Sequence, residues 1–107
     1  MHIGILVDAE QRLGMQRPTV LIIGRETCDD CLNLFAQLEQ WQTSMDVEVV
    51  HLDLTTEIAQ DFKAKNTWVQ YITAIPFTVI YRHGEPIDQW TGGDVARIES
   101  RVQSLVS

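Results

Sequence analysis

The sequence has little cysteine, few cations and no long apolar run, and each scarcity narrows what the chain can be. Only two cysteines occur in 107 residues, so a scaffold stapled by several disulfides is excluded. Lys and Arg number 8 against 15 Asp and Glu, a formal charge of −7 with a pI near 4.7. So acidic a balance argues against non-specific binding to nucleic acid or to an anionic membrane. No apolar stretch approaches the ~18 residues that a bilayer span requires. Met1–Asp8 has neither a basic n-region nor a long apolar h-region, so no secretion leader is expected there and the default address is cytoplasmic. Low-complexity segments, internal repeats and long linkers are also missing. Hydrophobic residues make up 45% and charged ones 21%, an ordinary mixture at a length that supports one core. Residues 1–107 therefore read as a single domain, expected to be a monomer.

The two cysteines that are present sit together, as Thr27-Cys28-Asp29-Asp30-Cys31, just after the apolar run Val20-Leu21-Ile22-Ile23. A strand that delivers a CxxC pair to the start of an amphipathic helix has a specific chemical use. Unpaired N–H groups and the macrodipole at a helix N-terminus stabilise an anion, here a thiolate on Cys28. Cys31 lies about one turn further on, where it can close a disulfide with Cys28. The pair reads as a reversible two-electron redox centre, with Cys28 exposed as nucleophile and Cys31 starting the buried stripe as resolving thiol. Asp29 and Asp30 modulate it. As first-turn acids they complement the helix dipole, but each also stands next to the thiolate. One such charge at ~7 Å, at an effective dielectric of ~40–80, costs the thiolate ~0.6–1.2 kcal/mol, comparable to the helix-dipole benefit. Arg25 offsets part of this, and the couple is expected at the reducing end of its range. Zinc is not expected, because it takes four ligands and His2, His51 and His83 have no ligand-like spacing to the pair.

The remaining pattern places this centre in an α/β chain. His2–Val7 reads as a first strand, and Asp8 is positioned to cap a short helix over Ala9–Leu13. Thr19–Gly24 looks like a strand covered on both faces. From Asp29, the apolar positions Cys31, Leu34, Phe35, Leu38, Trp41 and Met45 recur at helical spacing. Val47–Leu54 reads as a strand, and Thr55 or Thr56 caps a helix containing Ile58, Ala59 and Phe62. After a less regular stretch over Asn66–Thr73 comes β-rich Ile75–Tyr81, then a tight turn at His83-Gly84 and a returning strand over Pro86–Thr91. Asp94 is placed to cap a last helix with Val95, Ile98, Val102 and Leu105 on one face. The order βαβαβαββα implies parallel strands joined by crossover helices and ended by a hairpin: a mixed sheet with helices on both faces.

That order, with CxxC after the second strand and Ile75-Pro76 opening the fourth, resembles the thioredoxin superfamily. The stretch Leu21–Cys31, with Arg25 three positions before the first cysteine, looks more like a glutaredoxin; Ala74-Ile75-Pro76 through Gly84-Glu85 to Gly92 looks like a thioredoxin. The resemblance implies the thioredoxin fold and a cis Pro76 packed beside the sulfurs. Such a turn leaves the Ile75 backbone free to pair with an extended substrate segment. It further implies protein disulfides as substrates and a reductase, or glutathione, as the source of electrons. By the same likeness Arg25 is a candidate for a glutathione carboxylate, and Gly93-Asp94 for the other end of that tripeptide. No bound cofactor is expected; glutathione is the one candidate co-substrate.

The departures matter too. Thioredoxins carry Trp before the first cysteine and Gly-Pro between the pair, where this chain has Thr27 and Asp29-Asp30. They also bury an Asp six residues before the first cysteine, a position held here by Ile22, and the lysine near that Asp matches His51. Asp29, Asp30, Glu26, His51 or water must then handle the proton. His51 alternates with Val49 and Asp53, which places it either beneath the cysteines or in the core as a hydrogen-bonded histidine. Trp68 and Tyr71 either border the site or pack. Three functions stay open: a protein-disulfide oxidoreductase, a glutathione-dependent enzyme of glutaredoxin type, and a non-catalytic adaptor that recognises a partner through Ile75-Pro76.

Overall fold

The computed structural model describes residues 1–106. Its centre is β2 (Thr19–Gly24), whose six residues are all buried, with Val20, Leu21, Ile22 and Ile23 at 0% exposure. Full burial of both faces is what an uninterrupted apolar run requires, and each such side chain stabilises the fold by about 1.5–3 kcal/mol. β2 pairs in parallel with β3 (Glu48–Asp53), which pairs in parallel with the short edge strand β1 (Ile3–Ile5). On its other side β2 runs antiparallel to β4 (Phe77–Arg82), and β4 to β5 (Glu85–Thr91), giving the order β1-β3-β2-β4-β5.

Three helices cover the sheet. α1 (Asp29–Gln40) and α3 (Val95–Val106) share one face, where Leu34, Leu38, Ile98 and Val102 pack on Val20, Ile22, Val49 and Ile80. α2 (Glu57–Lys65) lies on the other, where Ala59 and Phe62 meet Leu21, Ile23, Val50, Leu52 and Val79. Local chemistry sets the ends of these helices. Thr56 Oγ1 accepts the Ala59 N–H at 3.3 Å, and Asp94 Oδ1 accepts from Ala96 at 2.9 Å. At the far end of α1, where no basic side chain opposes the dipole, the Met1 amine donates to the Glu39 and Trp41 carbonyls. The hairpin turns on His83 (φ 55°) and Gly84 (φ 82°), two residues in the left-handed region as a tight hairpin loop demands. Among the described residues no helix is long and apolar enough to cross a membrane.

The expected helix over Ala9–Leu13 does not form, so among the described residues the order is ββαβαββα, with a 3₁₀ turn over Thr67–Tyr71 after α2. Asp8 caps a turn instead, its Oδ1 taking the Glu10 N–H at 2.9 Å. Leu6, Ala9 and Leu13 still bury, because this irregular connection docks on the sheet and on the hairpin. There His83 and Gly84 donate to the Gly14 and Leu13 carbonyls at 2.7 and 2.8 Å. Tertiary bonds thus replace the helical ladder. α1 is also shorter than the apolar spacing predicts: the chain turns extended at Trp41 (φ −66°, ψ 127°), leaving Met45 beyond it.

Candidate functional site

The site forms where β2 leaves the sheet. Arg25–Thr27 carry the chain from buried Gly24 to Cys28, whose extended backbone (φ −95°, ψ 113°) makes it the N-cap of α1. Its sulfur does the capping: Cys28 Sγ accepts the Cys31 N–H at 3.2 Å. A cap usually supplies oxygen to the orphan N–H groups of the first turn; here a thiol takes that place, aligned with the positive end of the dipole. Asp29 and Asp30 occupy the next two positions and are exposed.

The two thiols differ in surroundings. Cys28 is half-buried and Cys31 fully buried, and both are free. Burial pushes the Cys31 thiol up to about 11, helped by the neighbouring Cys28 sulfur and by Asp30, against a backbone contact from Arg25. At neutral pH Cys31 is therefore a protonated, shielded thiol behind an accessible one.

The loop before β4 closes the site from the other side. The Ile75–Pro76 peptide is cis. Cys28 Sγ lies 3.9 Å from the Ile75 carbonyl oxygen, a weak thiol contact that seats the sulfur against the loop. The Gly92 N–H donates to Pro76 O at 2.6 Å and fixes the loop to the end of β5. Between α1 and the loop runs an open groove of about 500 Å³, with Asp30, Asn33 and Gln37 along the helix and Ile75, Pro76 and Thr91 opposite.

Of the residues singled out from sequence, Cys28, Cys31, Ile75, Pro76 and Asp30 thus converge. Asp29 stands beside them but does not line the groove. Arg25 is exposed, away from the groove lining, and its side chain has no ion pair among the described residues. Trp68 packs edge-on against Phe62, with centroids 6.2 Å apart, while Tyr71 is 75% exposed. Trp90 is buried under the Arg97 guanidinium, 4.3 Å from its centroid.

Three residues enter the site without having been read from sequence. Asn33 and Gln37 follow Asp30 at helical spacing, a second stripe that was legible in principle. Gly24 is the third. A Cβ there would stand 2.7 Å from Cys31 Sγ, so only glycine lets α1 approach β2 this closely. His51, by contrast, is not the hydrogen-bonded core histidine that was one expectation. It is partly buried, its ring tilted against Phe35 with centroids 4.4 Å apart, and its shielded Nε2 has no partner among the described residues. Burial lowers it from its ordinary 6.5, against the pull of Asp53 and Glu26, so it is neutral at pH 7.

No family model and no curated protein sequence matches the chain. Solved structures do. The oxidised thioredoxin of Plasmodium falciparum superposes with a TM-score of 0.71 at 14% identity, over 99% of this chain and 100% of that one. Spinach chloroplast thioredoxin f (short form) gives 0.71 at 16% identity, over 98% and 94%. Fasciola hepatica thioredoxin gives 0.66 at 20% identity, over 82% and 80%. At such identities the likeness carries architecture and leaves chemistry to be argued from the site. The chain has the thioredoxin fold.

Proposed function

We propose that the protein is a thiol–disulfide oxidoreductase acting on protein disulfides. The observation that carries this reading is the position of Cys28 Sγ, capping α1 and touching the Ile75 carbonyl with Cys31 buried behind it. Cys28 thiolate attacks one sulfur of a partner's disulfide. A mixed disulfide forms, and the partner's other sulfur departs with the electron pair and takes up a proton. Cys31, deprotonated, then attacks Cys28 Sγ; the Cys28–Cys31 bond forms and the partner's second thiol leaves. Two electrons pass to the partner, and a reductase or a thiol such as glutathione returns the protein to its dithiol form. The open groove beside Ile75 and Pro76 suits an extended segment, and Asp30 on its wall favours a neutral or basic one. The reaction needs no bound cofactor or metal, and a reducing compartment, the cytoplasm, keeps such a dithiol ready.

Glutathione as the direct substrate is the weaker reading, since Arg25 stands outside the groove and the tripeptide is itself anionic. The test is trapping. Cys31→Ser should accumulate covalent adducts with a disulfide-containing protein such as insulin, and Cys28→Ser should abolish its reduction. Retained reduction by Cys28→Ser refutes the nucleophile. Reversible oxidation without catalysed reduction of any disulfide would indicate an adaptor.

A further inference from the structure

Cys31 must lose its proton before it can attack Cys28, and it sits where water cannot readily take it. The carboxylates nearby are poorly placed. Asp29, Asp30 and Glu26 are exposed, and the β2 residue level with His51 is Ile22, which has none. The Asp53 carboxylate is engaged, its Oδ1 accepting from the Thr55 N–H and Oγ1 at 2.8 and 2.7 Å. One unoccupied acceptor remains on this face of the sheet: His51 Nε2, shielded and without a partner among the described residues.

The two groups come close because residue 24 is glycine. The Cβ position at Gly24 is 2.7 Å from Cys31 Sγ and 3.9 Å from His51 Nε2. Sulfur and nitrogen both flank this glycine, no farther apart than those two lengths end to end. That is about the span of one bridging water with two hydrogen bonds of ~3 Å.

We infer that His51 is the proton acceptor for Cys31 in the resolving step, the two groups being brought together by the missing side chain at Gly24. The inference rests on the redox reading above and assigns its missing base. In the mixed disulfide Cys28 carries no charge, so its contribution to holding the Cys31 proton disappears, and burial and Asp30 remain to hold it. His51, neutral at pH 7, takes the proton as the Cys31 thiolate forms. That thiolate attacks Cys28 Sγ, the Cys28–substrate bond breaks, and the substrate sulfur leaves with the electron pair. His51 then returns the proton to the departing thiolate or to solvent. Glu26 before α1 and Asp53 on β3 are the charged groups acting on the imidazole, and both favour its transient cation. Asp30 acts on the Cys31 side.

The two chemical steps are separable with an aromatic disulfide that releases a coloured thiolate at each. Reduced protein mixed with excess reagent gives a first release for Cys28 attack and a second for Cys31 resolution. His51→Asn and His51→Phe should leave the first phase within about twofold and slow the second roughly ten- to a hundredfold, within the range of general-base contributions. In the unsubstituted protein the second phase should fall off at acid pH with an inflection below 6.5, and this inflection should vanish in His51→Asn. An unaltered second phase in both variants overturns the assignment. So does the absence of that inflection in the unsubstituted protein, a readout that stands even if a variant fails to fold. Absence of any second release overturns the redox reading itself and the relay with it, whereas a second phase independent of His51 removes the relay alone.

Discussion

Gly24→Ala is the substitution that most directly probes how α1 is seated on the sheet. The added methyl would sit 2.7 Å from Cys31 Sγ and 3.3 Å from its Cβ. The sulfur is no flexible tip able to swing away, since Cys31 is 0% exposed in the first turn of α1. Nor can β2 retreat, hydrogen-bonded as it is between β3 and β4. Overpacking of this kind costs about 1–3 kcal/mol. Replacing glycine by alanine recovers ~0.4–1 kcal/mol by restricting the unfolded chain. The net expectation is a loss of roughly 1–2 kcal/mol, or about 4–15 °C in Tm for a domain near this size. Urea unfolding of the reduced protein measures it, and a double-mutant cycle locates it. In a Cys31→Ala background the sulfur is gone and the nearest atom is the Cβ at 3.3 Å, which small shifts accommodate. The penalty of Gly24→Ala should there fall by about 1 kcal/mol. An equal penalty in both backgrounds, or none in either, would refute the close approach of strand and helix.

Two further outcomes follow from buried groups. Tyr81 carries a shielded hydroxyl without a partner, and burial raises its pKa. Tyr81→Phe removes an unsatisfied group worth ~1–3 kcal/mol, so its Tm should rise by several degrees, and a fall would show that the hydroxyl is bonded. Stability should also decline at both ends of the pH scale. His51 is held below 6.5, so the stability it contributes is complete above 6.5 and lost as pH falls from there through its folded value. Cys31 is raised from 9.0 to about 11, so its contribution is complete below 9.0 and lost as pH climbs through about 11. Urea midpoints should show both limbs, the acid one flattened by His51→Asn and the alkaline one by Cys31→Ala; limbs unchanged by these substitutions would refute the assignments.

How much was legible follows from the range of the forces involved. Val20–Ile23 declared a strand buried on both faces because nothing else tolerates four consecutive large apolar residues there. Thr56, Asp94 and His83-Gly84 marked ends and turns through chemistry confined to a few neighbours. The CxxC pair marked the candidate redox centre for the same reason. Ala9–Leu13 misled, since Asp8 before it is a suitable helix cap while bonds to the distant hairpin decide the backbone. The meeting of Cys31 with His51 was legible only as one of two placements, beneath the cysteines or in the core. The choice between them depends on the register that sets Ile22 against His51 and on the missing side chain at Gly24, neither of which local pattern encodes.

The sheet partitions the interior into two separate apolar layers, and the proposed chemistry draws on only one of them. Truncating Phe62, on the α2 side, should thin the population of folded molecules while each survivor turns over as before. Damage beneath α1, at Leu34 or Leu38, reaches the sulfurs as well. A mutational screen scored by abundance and one scored by turnover per molecule will therefore agree beneath α1 and part company beneath α2.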